Sequence, residues 1–136
     1  MTPKMHQFEL RVYYEDTDLA GIVYYANYLK FIERARSEMI RAQGIDQRAL
    51  KARAGVVFAV RHLQADYLRP ARFDDSLTVK TGVLRLTGAR IALSQRIFRG
   101  EDRVFSATVT LVCLRADGAP TRIPAEIRQK LTGTHE

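Results

Sequence analysis

Three carboxylates, Glu15, Asp16 and Asp18, lie close together in an acidic, glycine-containing stretch that leads into a long amphipathic segment starting near Tyr28. The first N–H groups of a helix lack internal partners and carry the positive end of its dipole. They can hold the oxyanion that forms when an acyl carbonyl is attacked. A carboxylate a few residues upstream can activate water or attack directly. A thioester is already a reactive acyl donor, so such chemistry does not oblige a nucleophile–histidine–acid triad. The sequence offers none: Gly-x-Ser-x-Gly is absent, Cys113 has no recognisable partner, and His6, His62 and His135 are dispersed without metal-ligand spacing. The same acids also suit a solvated turn in which Asp16 or Asp18 only caps local structure. Tyr24, Tyr25 and Tyr28 equally suit a core or an interface.

The elements that must position these residues follow from periodicity. Phe8, Leu10, Val12 and Tyr14 alternate with Glu9, Arg11 and Tyr13, which predicts a half-buried first strand through Tyr14. Tyr28, Phe31, Ile32, Ala35, Met39 and Ala42 recur at helical spacing. They predict a helix from about Tyr28 to Gln43, with Asn27 as N-cap and Gly44 as its stop. Ala49 to Ala54 reads as a helical end or connector. Val56 to Leu68 is apolar and β-rich, limited by Pro70. Two alternating runs follow, around Leu77, Val79 and Val83 and around Ile91, Leu93 and Ile97. A third covers Val104 to Leu114. Breaks at Leu86-Thr87-Gly88 and from Arg99 to Asp102 are of hairpin size, so the strands form an antiparallel meander. Asp117-Gly118 marks a turn, and Pro124 to Leu131 suits a last helical turn or two. The fold class is α+β, one helix packed on a curved antiparallel sheet of about five strands. Such a sheet has a bare edge, which predicts a homo-oligomer.

The chain of 136 residues suits one domain, taken as residues 1–136. Hydrophobic residues make up 46% and charged residues 27%, which argues against disorder. Cys113 sits in an apolar run and reads as a small buried hydrophobe. No stretch resembles a signal peptide or reaches membrane-spanning length, so a cytoplasmic location without a transmembrane segment is expected. The net charge is +7, carried mostly by arginine, which suits phosphate. The arginines are scattered and do not form a basic and aromatic nucleic-acid platform, so no nucleic-acid partner is expected.

Two blocks carry a resemblance. Val12-Tyr13-Tyr14-Glu15-Asp16-Thr17-Asp18, then Gly21-Ile22-Val23-Tyr24-Tyr25-Ala26-Asn27-Tyr28, then Phe31-Ile32-Glu33-Arg34-Ala35-Arg36, is similar to the signature of YbgC-type acyl-CoA thioesterases, relatives of 4-hydroxybenzoyl-CoA thioesterase. Phe58-Ala59-Val60-Arg61 and Tyr67-Leu68-Arg69-Pro70-Ala71-Arg72-Phe73-Asp74-Asp75 also resemble that family, so the likeness covers nearly the whole chain.

The resemblance implies a hotdog fold, a sheet wrapped around the long helix. It also implies dimers with joined sheets, often paired again into homotetramers. It places the catalytic carboxylate on Asp18, the carbonyl-polarising backbone N–H on Tyr25, and an assisting first-strand tyrosine on Tyr14. Many YbgC-type sequences have histidine where this chain has Tyr25. The backbone donor survives that change, but a side-chain acid or base role does not. The implied reaction is hydrolysis of acyl-CoA to free acid and CoA with no cofactor, CoA being part of the substrate. An acyl carrier protein is an alternative thiol carrier. Arg85 and Arg90, flanking the Leu86-Thr87-Gly88 turn, and Arg61 behind them are the expected partners of the CoA phosphates. The rival readings are a non-catalytic module binding acyl-CoA or acyl carrier protein, a basic nucleic-acid-binding domain, and hotdog dehydratase chemistry. The last usually needs a histidine in the helix-leading segment, where this chain has none.

Overall fold

The computed structural model describes residues 5–132; His135 lies outside them. The helical period between Tyr28 and Met39 becomes α1, Asn27–Ala42, with Tyr28, Phe31, Ile32, Ala35, Met39 and Ile40 buried along one face. It stops where Gly44 takes a left-handed φ of 80°. The Gly44 N–H there donates to the Arg41 carbonyl, and that of Ile45 to the Ile40 carbonyl. The next stretch is a true short helix, α2 (Gln47–Ala54). Its N-cap Asp46 accepts the Arg48 and Ala49 N–H groups at 3.0 and 3.1 Å.

The strands are β1 (His6–Arg11), β2 (Val56–Tyr67), β3 (Ser76–Leu86), β4 (Ile91–Arg99), β5 (Asp102–Arg115) and the two-residue β6 (Pro120–Thr121). All pair antiparallel in the spatial order β1-β3-β4-β5-β2. β6 joins β5 at Cys113 and Leu114, in the lane β4 leaves beyond Ile91. The chain then turns into α3 (Ala125–Leu131). The core lies between α1 and the sheet, where Leu77, Val79, Val83, Ile91, Leu93, Ile97, Phe105, Val109 and Leu111 are buried. Each such side chain contributes roughly 1.5–3 kcal/mol. Among the polar side chains buried with them, Gln95 and Thr81 are fully enclosed. Gln95 donates to the Ile32 carbonyl at 2.8 Å and to Thr81 Oγ1 at 3.0 Å, and its Oε1 accepts from Arg36 at 3.0 Å. Because a shifted helix would leave that buried amide unsatisfied, these bonds fix where α1 sits on the sheet.

Two sequence expectations need correction. The first strand ends at Arg11, not at Tyr14. The Asp16 carboxylate accepts the Tyr13 N–H at 2.8 Å and curls the chain into a 3-10 turn over Tyr14–Asp16, breaking the alternation. Asn27 is not the N-cap; Ala26 holds that position and provides no side-chain cap. Asn27 is instead the first helical residue, and its amide donates to the Asp16 carbonyl at 2.9 Å. The expected sheet of about five strands is present, with the two-residue β6 added beside β5 where too few residues follow the turn to show a period.

β2 forms one end of the sheet. It is 12 residues long, and Val60, Leu63 and Tyr67 on it are 49, 36 and 48% exposed. Its register slips between Val60 and His62, leaving Arg61 as the extra residue of a bulge. Among the described residues no helix is long and apolar enough to cross a membrane.

Candidate active site

The segment between the 3-10 turn and α1 folds as a small hairpin. Thr17 bridges Val23, and the Asp18 N–H donates to the Ile22 carbonyl at 2.9 Å. The Gly21 N–H closes the turn onto the Asp18 carbonyl at 3.0 Å, with Gly21 at φ 79°, a conformation a side chain would resist. Asp18 therefore stands at the mouth of the hairpin. One of its oxygens, Oδ1, accepts the Ala20 N–H at 2.9 Å, and its side chain is exposed in the protomer. Among the described residues Oδ2 has no donor. The two aspartates thus have different fates: buried Asp16 is a structural cap, and Asp18 keeps a carboxylate oxygen free.

The chain reaches α1 through a turn in which the Asn27 N–H donates to the Tyr24 carbonyl at 2.8 Å. Within it, neither the Tyr25 nor the Ala26 N–H finds an acceptor among the described residues. Those two donors are what an oxyanion needs, at the positive end of a 16-residue helix. Tyr25 is 62% exposed, and its ring packs beside that of Tyr24.

A strap formed by residues 67–75 holds this hairpin from outside. The Tyr67 hydroxyl donates to the Tyr25 carbonyl at 2.9 Å, and the Val23 N–H donates to the Ala71 carbonyl at 2.8 Å. The Ala71 N–H in turn donates to the Tyr28 hydroxyl at 3.0 Å, and Ile22 bridges Arg72. The strap is itself locked by Arg99, which donates to the Pro70 carbonyl at 3.1 Å and pairs with Asp75 at 2.9 Å. Burial pushes the Tyr28 phenol above its ordinary pKa, and the Asp75 and Asp18 carboxylates add to the push. Tyr28 thus stays protonated and lies within electrostatic reach of Asp18.

Tyr14, expected on the first strand, lies instead in the 3-10 turn. It is 83% exposed, and its ring rests 5.5 Å from that of Phe73. Among the described residues no hydrogen bond joins Tyr14's phenol to Asp18.

The expected phosphate ligands do come together, away from this loop. Arg61 and Arg90 line a cleft of about 860 Å³ with Ala59, Val112 and Pro120, and Arg85 and Arg90 line a neighbouring hollow of about 320 Å³. Sequence reasoning missed a further member, Arg122, just past β6 in the larger cleft. Its guanidinium lies against Gly88, where an added Cβ would meet Nη2 at 2.2 Å, and the Ile123 N–H donates to the Gly88 carbonyl at 2.9 Å. Some arginines elsewhere have carboxylate partners, such as Arg11 with Asp74, Arg53 with Glu126 and Arg99 with Asp75. Others, such as Arg34, Arg48 and Arg103, have none among the described residues. Among the described residues Arg61, Arg85, Arg90 and Arg122 have none. Four unneutralised guanidiniums around adjoining hollows suit a polyanion.

Residues 12–131 match the family model of the thioesterase-like superfamily. The chain belongs to that superfamily. It is 38% identical to the acyl-CoA thioester hydrolase YbgC of Escherichia coli O6:H1, over 95% of this chain and all of that one. It is 40% identical to the acyl-CoA thioesterase YbgC of Haemophilus influenzae, over 89% of this chain and 90% of that one. The crystal structure of a probable thioesterase from Bartonella henselae superimposes with a TM-score of 0.84. That structure is 41% identical, with 88% of this chain and 99% of that one covered. The sheet with its long central helix is accordingly the hotdog architecture of these enzymes.

Proposed function

We propose that this protein hydrolyses acyl-CoA thioesters, with Asp18 as the activating carboxylate and the free N–H groups of the Tyr25–Ala26 turn as the oxyanion donors. The observation that carries the reading is the pairing, on one strapped loop, of a carboxylate oxygen without a donor and amides without an acceptor. The thioester carbonyl oxygen lies against those amides as negative charge develops on it. Asp18 takes the proton of an attacking water, or attacks to give an anhydride that water cleaves. In either path the oxyanion collapses with breakage of the carbon–sulfur bond, and CoA leaves as its thiolate. Tyr14 stands at the edge of the loop as an orienting side chain. Tyr25 serves through its backbone, so tyrosine in place of histidine is tolerated.

The CoA phosphates fall to Arg61, Arg85 and Arg90, joined by Arg122. The larger hollow lies beside the first half of β2, whereas the loop that carries Asp18 is tied through Tyr25 to its last residue, Tyr67. A homodimer in which two β2 edges pair antiparallel reconciles the two, because it sets one protomer's arginines beside its partner's hairpin. The exposed Val60, Leu63 and Tyr67 on that edge favour such pairing. Light scattering decides between a dimer and a homotetramer, and a monomer at working concentration rejects the arrangement. An acyl carrier protein remains the alternative thiol carrier. A cytoplasmic location fits either substrate, and fractionation of the tagged protein with membranes or outside the cell would reject it.

The test is thiol release from short, long and aromatic acyl-CoA thioesters, with Asp18→Asn as control. Saturable binding of every substrate without thiol release from any would instead mark a non-catalytic binding module.

A further inference from the structure

We propose that Tyr67 is a positioning residue for thioester cleavage, its hydroxyl fixing and polarising the turn that presents the oxyanion donors. The inference rests on the reading of Asp18 and the Tyr25–Ala26 turn given above. The Tyr25 carbonyl that accepts the Tyr67 hydroxyl at 2.9 Å belongs to the same peptide unit as the Ala26 N–H. A hydrogen bond onto a carbonyl draws density from its amide and strengthens that N–H as a donor. It also sets the plane of the peptide, and therefore where the N–H points.

The phenol is held where this requires. Its ring makes edge contacts with Phe105 at 5.2 Å, Tyr28 at 5.4 Å and Tyr25 at 6.3 Å. Phe105 is also its cross-strand partner on β5, and Tyr28 stacks on Phe105 at 5.2 Å. These packing contacts involve the ring alone, so a phenylalanine would keep them. The hydroxyl has no other partner among the described residues. Desolvation, aided by Tyr25 and Tyr28, holds the phenol above its ordinary pKa, so it remains a donor throughout the working range.

Tyr67→Phe separates this role from packing. The expected result is a fall in kcat of roughly tenfold, short of the ~10²–10³-fold that losing a whole oxyanion donor costs. KM for acyl-CoA should stay within about twofold and the melting temperature unchanged, because the ring contacts remain. An unchanged kcat, or a loss that appears in KM or melting temperature instead, overturns the proposal. A second measurement needs no turnover. A carbon-13-labelled thioester bound to Asp18→Asn should show a carbonyl stretch lowered from its free value, and adding Tyr67→Phe should return it part-way. A stretch indifferent to Tyr67, with Asp18→Asn inactive, defeats this inference and leaves the proposed function standing. Normal turnover by Asp18→Asn defeats both.

Discussion

Around Asp18 the hairpin is bound at each step. Asp16 caps the turn before it, Thr17 and Val23 bridge, and Ile22, Val23 and Tyr25 are held by the strap. Around Arg61, Arg90 and Arg122 the opposite holds, since long side chains without carboxylate partners rim an open cleft. Oxyanion stabilisation depends on donors whose reorganisation is avoided at the moment of reaction, and a hairpin bound at each step suits that role. Capturing a multiply charged leaving group depends on charge more than on geometry, and flexible guanidiniums suffice. Substitutions in the two regions should therefore fail differently, the first in kcat and the second in KM.

The largest effect is expected from Asp18→Asn. It should lower kcat by at least about 10²-fold while KM for acyl-CoA changes little, since a positioned general base typically contributes ~10²–10⁴-fold. Steady-state kinetics checks this, and near-normal turnover would break the assignment. Asp16→Ala tests the rigidity beneath it. Removing a buried cap that accepts the Tyr13 N–H should cost about 1–2 kcal/mol by denaturant melting. It should also lower kcat more than it raises KM, because the hairpin loosens.

In the arginine cleft, Arg90→Ala and Arg122→Ala should each raise KM roughly three- to tenfold at low salt and leave kcat alone. The effect should shrink towards unity near 0.5 M salt as screening sets in. Gly88→Ala sharpens the contrast. Its new Cβ would occupy the place of the Arg122 Nη2 at 2.2 Å, and the guanidinium, being the far end of a flexible chain, can swing away. A KM close to that of Arg122→Ala, at unchanged melting temperature, would show that Gly88 serves to seat Arg122. An unchanged KM would show that the seat does not matter.

The two regions also differ in how far the sequence reveals them. α1 and the hairpins are legible because local periodicity and turn chemistry alone produce them, as Gly44 and the Leu86-Thr87-Gly88 break illustrate. The acidic cluster is visible too, but spacing cannot say which acid is free. Only the fold shows that Asp16 turns inward onto the Tyr13 N–H and Asp18 does not. The alternation through Tyr14 misleads for the same reason, since a side-chain cap outweighs the strand pattern. Tyr67 and Tyr25 are 42 residues apart, and each alone reads as an ordinary amphipathic aromatic. Tyr67 opens the later stretch of family resemblance, through Asp75, and that is the available signal. Arg122 escaped notice because β6 is two residues long and shows no period.

Cys113 provides the smallest predicted effect and a control remote in kind from both regions. It is wholly buried on β5 beside the cleft strand, and burial pushes its thiol up to about 11, against 9 for the unperturbed group. Between those values the unfolded chain releases the proton while the folded protein keeps it, so the native state binds more protons and stability falls as pH rises. The contribution is fully present below pH 9 and lost on the way to about 11. Melting temperature should therefore decline more steeply over that window in the parent protein than in Cys113→Ala. The variant should start lower because of the cavity it leaves. Turnover at neutral pH should be the same in both, since the protonated thiol takes no part in the chemistry. Parallel alkaline slopes would mean the thiol ionises as readily folded as unfolded. A selective loss of kcat would mean that β5 packing reaches the strapped hairpin after all, through Phe105 and the Tyr67 ring against it.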